Sequence, residues 1–273
     1  MKKNKSLLLS GPYIAWMVIF TLIPLGVVLY YAMTDVETGK FTFGNLSNLL
    51  LYMPALWRSI LYSFVSALIC LLIGYPVAYY MAHCSATAQK FLYMLVMLPM
   101  CMSFLLRTLA WVGLLQDTGI INNFLASLGL PRLQLIRTPG AVILGMVYNY
   151  LPYMILPLYS IIVKIDRRLI EAAEDLGCNS VKVFSKVILP LSMPGILSGM
   201  TMVFVPAVST FYISNKLGST ETVLIGDIIE RQFKQGDNAN MGAALSLLLM
   251  LLVFVCTGII NRFGGDEEGA VIV

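Results

Sequence analysis

The chain has 273 residues, of which 59% are hydrophobic and only 12% are charged, a balance far from that of a soluble domain. Its formal charge of +4 sits beside apolar runs, as expected of a protein oriented in a lipid membrane. Nucleic acid is not an expected partner.

Apolar stretches long enough to cross a bilayer, about 20 residues each, recur along the chain. The expected spans are Pro12–Met33, Trp57–Ala82, Phe91–Val112, Ala141–Val163, Leu191–Ile213 and Met241–Ile260. The fold class is therefore all-α, a polytopic membrane protein of about six transmembrane helices. No Gly/Ser linker or low-complexity tract divides it, so residues 1–273 are expected to form a single membrane domain. Lys2, Lys3 and Lys5 precede the first span, whose apolar run exceeds a signal-peptide core and lacks a small-residue cleavage site. It is expected to be retained with its amino end inside. An even number of spans then places both termini in the cytoplasm, together with the basic residues of segment 164–190.

The third-to-fourth connection carries Ile120, Ile121, Phe124, Leu125 and Leu128 at helical spacing, with Asn122, Asn123 and Ser127 opposite. In the fifth-to-sixth connection Leu224, Ile228 and Ile229 line one side, with Asp227, Glu230, Arg231 and Lys234 polar. Both are expected to be short amphipathic helices at the outer interface. Prolines 24, 76, 99, 152, 157, 194 and 206 fall inside spans, each removing a backbone donor that neighbours must replace. In the fifth span Pro206 is followed by Ala207, Ser209, Thr210, Phe211 and Tyr212, a kinked and partly polar stretch suited to the wall of a pathway. Arg107 and Trp111, near the outer end of the third span, are expected to be a snorkelling anchor pair.

Five cysteines without a CxxC pair and a single histidine, His83, offer no ligand cluster. Neither disulfide nor metal is expected, nor any cofactor.

The stretch from Lys164 to Leu189 is different. It gathers Lys164, Asp166, Arg167, Arg168, Glu171, Glu174, Asp175, Lys182 and Lys186 between two apolar runs. Asp166 can cap a helix starting at Arg167, with Leu169, Ala172, Ala173 and Leu176 on one face and Glu171, Glu174 and Asp175 around the other. Gly177 is the natural stop, because only a residue without a Cβ takes a left-handed cap at no steric cost. Asn179 or Ser180 can cap a second helix with Val181, Phe184 and Ile188 on its apolar side, and Pro190 then opens the next span. The spacing predicts helix, sharp turn, helix.

Glu171-Ala172-Ala173, Gly177 and Leu189-Pro190 together resemble the coupling loop of the permease subunits of binding-protein-dependent ABC importers. The resemblance extends to Gly74-Tyr75-Pro76-Val77-Ala78-Tyr79, Leu98-Pro99, Arg107-Thr108-Leu109-Ala110-Trp111, Leu151 to Tyr159, Met193-Pro194-Gly195-Ile196 and Leu224-Ile225-Gly226-Asp227. These stretches are similar to the spermidine/putrescine branch of that family. Val187, where the family usually carries isoleucine, is a small departure.

The resemblance implies a subunit of the bacterial inner membrane that works with a second related permease, two ATP-binding cassette subunits and an external solute-binding protein. On it, Glu171, Ala172, Ala173, Gly177, Leu189 and Pro190 are the expected ATPase-coupling residues. Asp227 and Glu230 are candidate contacts for the binding protein. The chain carries no Walker A glycine–lysine loop, so ATP hydrolysis is expected on another chain and this subunit is not expected to be an enzyme.

No Asp or Glu lies inside the expected spans. A cationic small-molecule substrate would then pass aromatic faces and hydroxyls, for which Tyr148, Tyr150, Tyr153, Pro206, Phe211 and Tyr212 are the candidates. Ferric-ion, thiosulfate and other small-solute permeases remain alternatives within the class. A secondary transporter would need an ionisable relay in a span, and a membrane enzyme would need convergent catalytic groups.

Overall fold

The computed structural model describes residues 12–35, 39–42, 44–234 and 238–262. The basic start at Lys2, Lys3 and Lys5 lies outside the described residues. Besides a single turn at Gly44–Ser47, eleven helices follow in order among the described residues: α1 (Pro12–Ala32), α2 (Met53–His83), α3 (Ala86–Met97), α4 (Phe104–Leu115), α5 (Ile120–Ser127), α6 (Pro139–Ile162), α7 (Arg167–Asp175), α8 (Ser180–Val208), α9 (Tyr212–Leu217), α10 (Ile225–Lys234) and α11 (Ala239–Arg262). Six segments among the described residues are long and apolar enough to cross a membrane, so the all-α polytopic expectation holds.

Two spans differ from the sequence reading. The third is not one rod over Phe91–Val112. α3 passes into a 3-10 turn at Leu98–Cys101, Met102 is extended, and α4 restarts at Phe104. Pro99 cannot donate within the turn it enters. The fifth is displaced: α8 ends at Val208 rather than Ile213, and it begins at Ser180, well before Pro190. The second coupling helix and the span are thus one continuous rod, about 43 Å long at 1.5 Å per residue.

Pro190 does not break α8 because the helix widens just before it. Phe184–Ile188 forms a π-turn, and the Leu189 N–H donates to Phe184 O, five residues back. The wider turn gives the last amide before the proline a partner and relieves the clash of the ring with the preceding turn. α1 uses the same device: Val18–Leu22 is a π-turn closed by Ile23 N–H on Val18 O, and Pro24 follows.

By packing, the chain divides into two compact units. One comprises the residues up to Pro54 with Ile228–Leu252. In it Ala32 packs with Ala243 and Ala244 of α11. The Thr34 carbonyl accepts from Asn45 Nδ2 at 2.9 Å and from Asn240 Nδ2 at 2.7 Å, which closes the end of α1 after its helical donors run out.

The other unit holds Ala55–Asp227 and is built around α6. Met146, Met154 and Leu158 of α6 are fully buried among Ala67, Cys70 and Ala78 of α2 and Val203 and Ala207 of α8. Glycines bring the helices this close. A Cβ at Gly199 would lie 2.7 Å from Met154 Sδ, and one at Gly74 would lie 3.1 Å from Met154 Cγ. One turn earlier on α8, a Cβ at Gly195 would meet Ile161 and the Pro157 carbonyl at 3.2 Å. Gly195 and Gly199 therefore form a small-xxx-small contact with α6, the arrangement that replaces hydrophobic burial as the glue between helices in lipid.

Gly199→Leu is expected to cost about 1–3 kcal/mol through overpacking and to lower the midpoint of thermal unfolding in detergent. Gly113→Leu, at a position with nothing within 4 Å of its Cβ, should leave the midpoint unchanged. Equal midpoints for the two variants would show that the α6–α8 contact does not hold the bundle.

Candidate functional site

The charged segment folds as its spacing predicts. Asp166 Oδ1 accepts from Arg168 N at 3.0 Å and opens α7, and Asn179 Oδ1 accepts from Lys182 N at 3.0 Å and opens α8. Between them Gly177 has φ +81°. Its N–H donates to Glu174 O at 2.8 Å, and Cys178 N donates to Ala173 O at 3.0 Å. These two crossed bonds are a Schellman cap. They reverse the chain within three residues and leave few carbonyls of α7 unpaired.

The faces of this loop are only partly those expected. Ala173 is buried with Val183 and Ile188, against Ile165, Ile170, Cys178 and Val187. It therefore anchors the turn inward, and the two alanines do not share one outer surface. Outward point Leu169, Ala172, Leu176 and Val181 with Glu171, and Leu176 is 86% exposed. Leu189 is half-buried against the main core while Pro190 is exposed.

The loop is fastened to the span behind it. Phe184, in the π-turn, meets Tyr75 and Tyr79 of α2 edge-on at 5.5 and 6.4 Å between ring centroids. Tyr75 in turn shares a 2.9 Å hydrogen bond with Ser192 of α8. The loop is thus tied to α2 by packed rings and a hydrogen bond. His83, at the end of α2, is exposed and bonds Tyr79 O through Nδ1 at 2.8 Å.

A second constellation forms deeper in the same unit, where two helix breaks meet. Phe104, just after the Met102–Ser103 break, stacks on Tyr150 of α6 at 6.4 Å and tilts against Tyr212 at 6.2 Å. Tyr212 opens α9, just after the break at Ser209–Phe211. Tyr153 continues the cluster from Tyr150 at 6.4 Å. The Tyr150 hydroxyl donates to Pro206 O at 3.3 Å, one of the carbonyls left over at the end of α8. Lys216 Nζ stands 5.8 Å from the Tyr212 ring centroid, within cation–π range.

Of the expected path residues, the structure brings Tyr150, Tyr153, Tyr212 and Pro206 together. Tyr148 is apart, edge-on to Trp111 at 5.4 Å. Phe211 is exposed beside the α8–α9 break. The sequence reading missed Phe104 and Lys216, which no local pattern distinguishes, and misjudged Arg107. That side chain does not snorkel: it is 6% exposed, buried within the unit. Its charge in an apolar run was the available signal.

The outer helices also correct the reading. On α5 one polar residue turns inward: Asn122 is fully buried, donating to Gln116 O and Leu133 O at 3.2 and 2.9 Å and accepting from Leu133 N at 2.9 Å, while Asn123 and Ser127 stay exposed. Ile120, Phe124 and Leu128 face outward instead. Asp227 is buried too, its Oδ2 accepting from Leu224 N at 2.9 Å as half of a capping box at the start of α10. Of the two acidic candidates for an outer contact, Glu230 is the one that reaches the surface, paired with Lys234 at 2.5 Å.

The described residues thus hold six segments long and apolar enough to cross a membrane and a capped polar helix–turn–helix continuous with one of them. Residues 5–264 match the model of the binding-protein-dependent transport system inner membrane component family, and the chain belongs to that family. It is therefore a multi-pass inner-membrane permease subunit of an ABC importer. It is 39% identical over 254 residues to the spermidine/putrescine transport system permease protein PotB of Haemophilus influenzae, covering 88% of this chain and 89% of that one. It is 35% identical over 249 residues to the protein of the same name from Escherichia coli K12, covering 88% and 90%. Among solved structures, a bacterial ABC transporter involved in the import of the acidic polysaccharide alginate shares the fold with a TM-score of 0.81 at 18% identity, over 98% of this chain and 99% of that one.

Gly177→Val is expected to destabilise the turn by about 1–2 kcal/mol, the cost of a left-handed conformation for a residue with a Cβ. Gly177→Asn should be better tolerated. Protease sensitivity of the 164–190 segment in the purified subunit measures both. Equal sensitivity of the Val variant and the parent would contradict the Schellman geometry.

Proposed function

We propose that this chain forms half of the translocation pathway of an ATP-driven importer of linear polyamines, of the spermidine and putrescine kind. It works beside a second related permease, two ATP-binding cassette subunits and an external solute-binding protein. The observation that carries this reading is the 39% and 35% identity to two spermidine/putrescine permeases over most of both chains. The geometry supports it. The aromatic cluster already engages an ammonium, that of Lys216 on Tyr212, and this is the contact an amine solute would make there. Such contacts are weak, about 0.5–2 kcal/mol each, and suit a route more than a trap. Tight capture then falls to the external protein, for which Glu230 on α10 is the surface contact of this chain.

In this reading residues 1–273 are one permease domain with both termini and loop 164–190 in the cytoplasm. The outward stripe Leu169, Ala172, Leu176 and Val181 seats in the ATPase, and Glu171 supplies a charge-assisted bond to it. Closure of the ATPase pair pushes α7, and the Phe184–Tyr75–Tyr79 contacts pass the motion to α2 and α8.

Two measurements test this. Glu171→Ala should weaken co-purification of the ATPase by the equivalent of about 1.5–3 kcal/mol and abolish uptake while the protein still inserts. Normal co-purification and uptake would end the coupling assignment. In proteoliposomes holding the full complex, radiolabelled spermidine or putrescine should accumulate only with ATP and the binding protein. Strong saturable uptake without the binding protein would refute the division of labour, and uptake of iron or an anion in place of polyamine would refute the solute.

A further inference from the structure

At the end of the bundle that carries loop 164–190, a cavity of about 100 Å³ lies between the last turns of α2 and α6 and the first turn of α7. α2 contributes Tyr79 and His83, α6 ends on it at Ile162, α7 contributes Arg167 and Ile170, and α8 contributes Ile188. No acid lines the cavity, and no carboxylate pairs with Arg167 among the described residues. The ends of helices present carbonyls, which suit a cation. Here three of them are already engaged: Tyr79 O accepts from His83 Nδ1 at 2.8 Å, Ala82 O from Gln89 Nε2 at 3.0 Å and Ile162 O from Ile165 N at 3.1 Å. With Nδ1 used on Tyr79 O, His83 keeps Nε2 as the ring atom that a ligand can meet, beside the Arg167 guanidinium. The cavity therefore pairs an uncompensated positive charge with an apolar isoleucine lining.

We propose that this cavity holds the phosphate headgroup of an anionic phospholipid from the leaflet on the side of loop 164–190. A guanidinium fork matches phosphate oxygens and stays charged at every physiological pH. Basic pockets between helices at a membrane surface are the usual seats of acidic headgroups. Size excludes larger anions: drug-sized ligands fill roughly 300–1,000 Å³, so a phosphate group fits here and a whole nucleotide does not. The positive charge excludes a polyamine, which makes the site independent of the solute carried. The surface outside the cavity favours a lipid over free phosphate. Leu72, Pro76 and Tyr80 are exposed at four-residue spacing on α2, Leu72 at 73% and Tyr80 at 67%, and their face leads to His83. Val163, which also lines the cavity, is exposed as well. An acyl chain can lie along this apolar track while its headgroup sits on Arg167. The bound lipid then adds a charged tie between α2 and the first turn of α7, at the root of the loop.

The test uses the complex of both permeases and both ATPases in detergent, shown to be lipid-free by phosphorus assay. Phosphatidylglycerol is added back, and amide hydrogen exchange of segments 79–84 and 162–172 is followed against lipid concentration. Exchange in both segments should slow saturably. Phosphatidylcholine, whose choline cancels the phosphate charge, should leave both unchanged at the same concentrations, as should inorganic phosphate. Arg167→Gln should raise the phosphatidylglycerol concentration for half-protection by about tenfold or more. Arg168→Gln removes a neighbouring charge that is exposed and outside the cavity, and should keep the parent value. Co-purification of the ATPase checks that the variants assemble, and the parent titration stands without them. Four outcomes overturn the proposal. Equal protection by both lipids, or equal losses in the two arginine variants, would reduce it to general adsorption on the surface. Protection by inorganic phosphate as strong as that by phosphatidylglycerol would assign the cavity to a free anion. Full protection before any lipid is added would assign it to a protein group. A parent that phosphatidylglycerol does not protect would leave the cavity without a lipid. None of these readouts involves the solute, so a complex that fails to import polyamine refutes the transport reading and not this site.

Discussion

Hydrocarbon supplies no hydrogen bonds, so each proline in this bundle leaves backbone groups that the chain itself must satisfy. Much of the distinctive geometry follows from that constraint. Before Pro24 and before Pro190 the helix widens to a π-turn, and the amide preceding the proline finds a carbonyl five residues back. Around Pro99 the helix tightens to a 3-10 turn and then breaks, so that α4 starts anew. At the end of α8 the Pro206 carbonyl takes the Tyr150 hydroxyl from the neighbouring helix. Three solutions to one deficit give three mechanical results: a continuous rod, a hinge, and a cross-link between helices.

The rod also stiffens the charged loop. A helix–turn–helix on a flexible tether would move independently of the bundle. Here the second loop helix and the span are one element, and the Schellman cap at Gly177 locks the first helix onto it through Ala173, Val183 and Ile188. α8 then lies on α6 at Gly195 and Gly199, where no side chain separates the backbones. Close backbone contact leaves little compliance, so tilting α8 must move α6 and the Tyr150 cluster with it.

Among the described residues the acids lie outside the spans expected from the sequence. Asp166, Glu171, Glu174 and Asp175 belong to the loop, and Asp227 is spent on capping α10. Lys216 stands against the Tyr212 ring of the aromatic cluster, and Arg107 lies one turn along α4 from Phe104.

By itself the sequence determined the class, the approximate spans and the helix–turn–helix. Each of these is set by local chemistry: run length against bilayer thickness, Asp166 and Asn179 as caps, Gly177 as the residue free to adopt a positive φ. The inward face of α7, the buried Asp227, the buried Asn122 of α5 and the buried Arg107 were decided only by tertiary structure. In lipid an apolar side chain is at home on either face of a helix, so hydrophobic periodicity loses its power to say which side is inside. That is why Asn122 was read as outward when its amide bonds Gln116 and Leu133, and why Arg107 was read as an anchor when it lies within the bundle. The convergence of two helix breaks on Phe104, Tyr150 and Tyr212 is likewise a fact of packing, since residues more than a hundred positions apart in the chain meet there only once α4, α6 and α9 have docked.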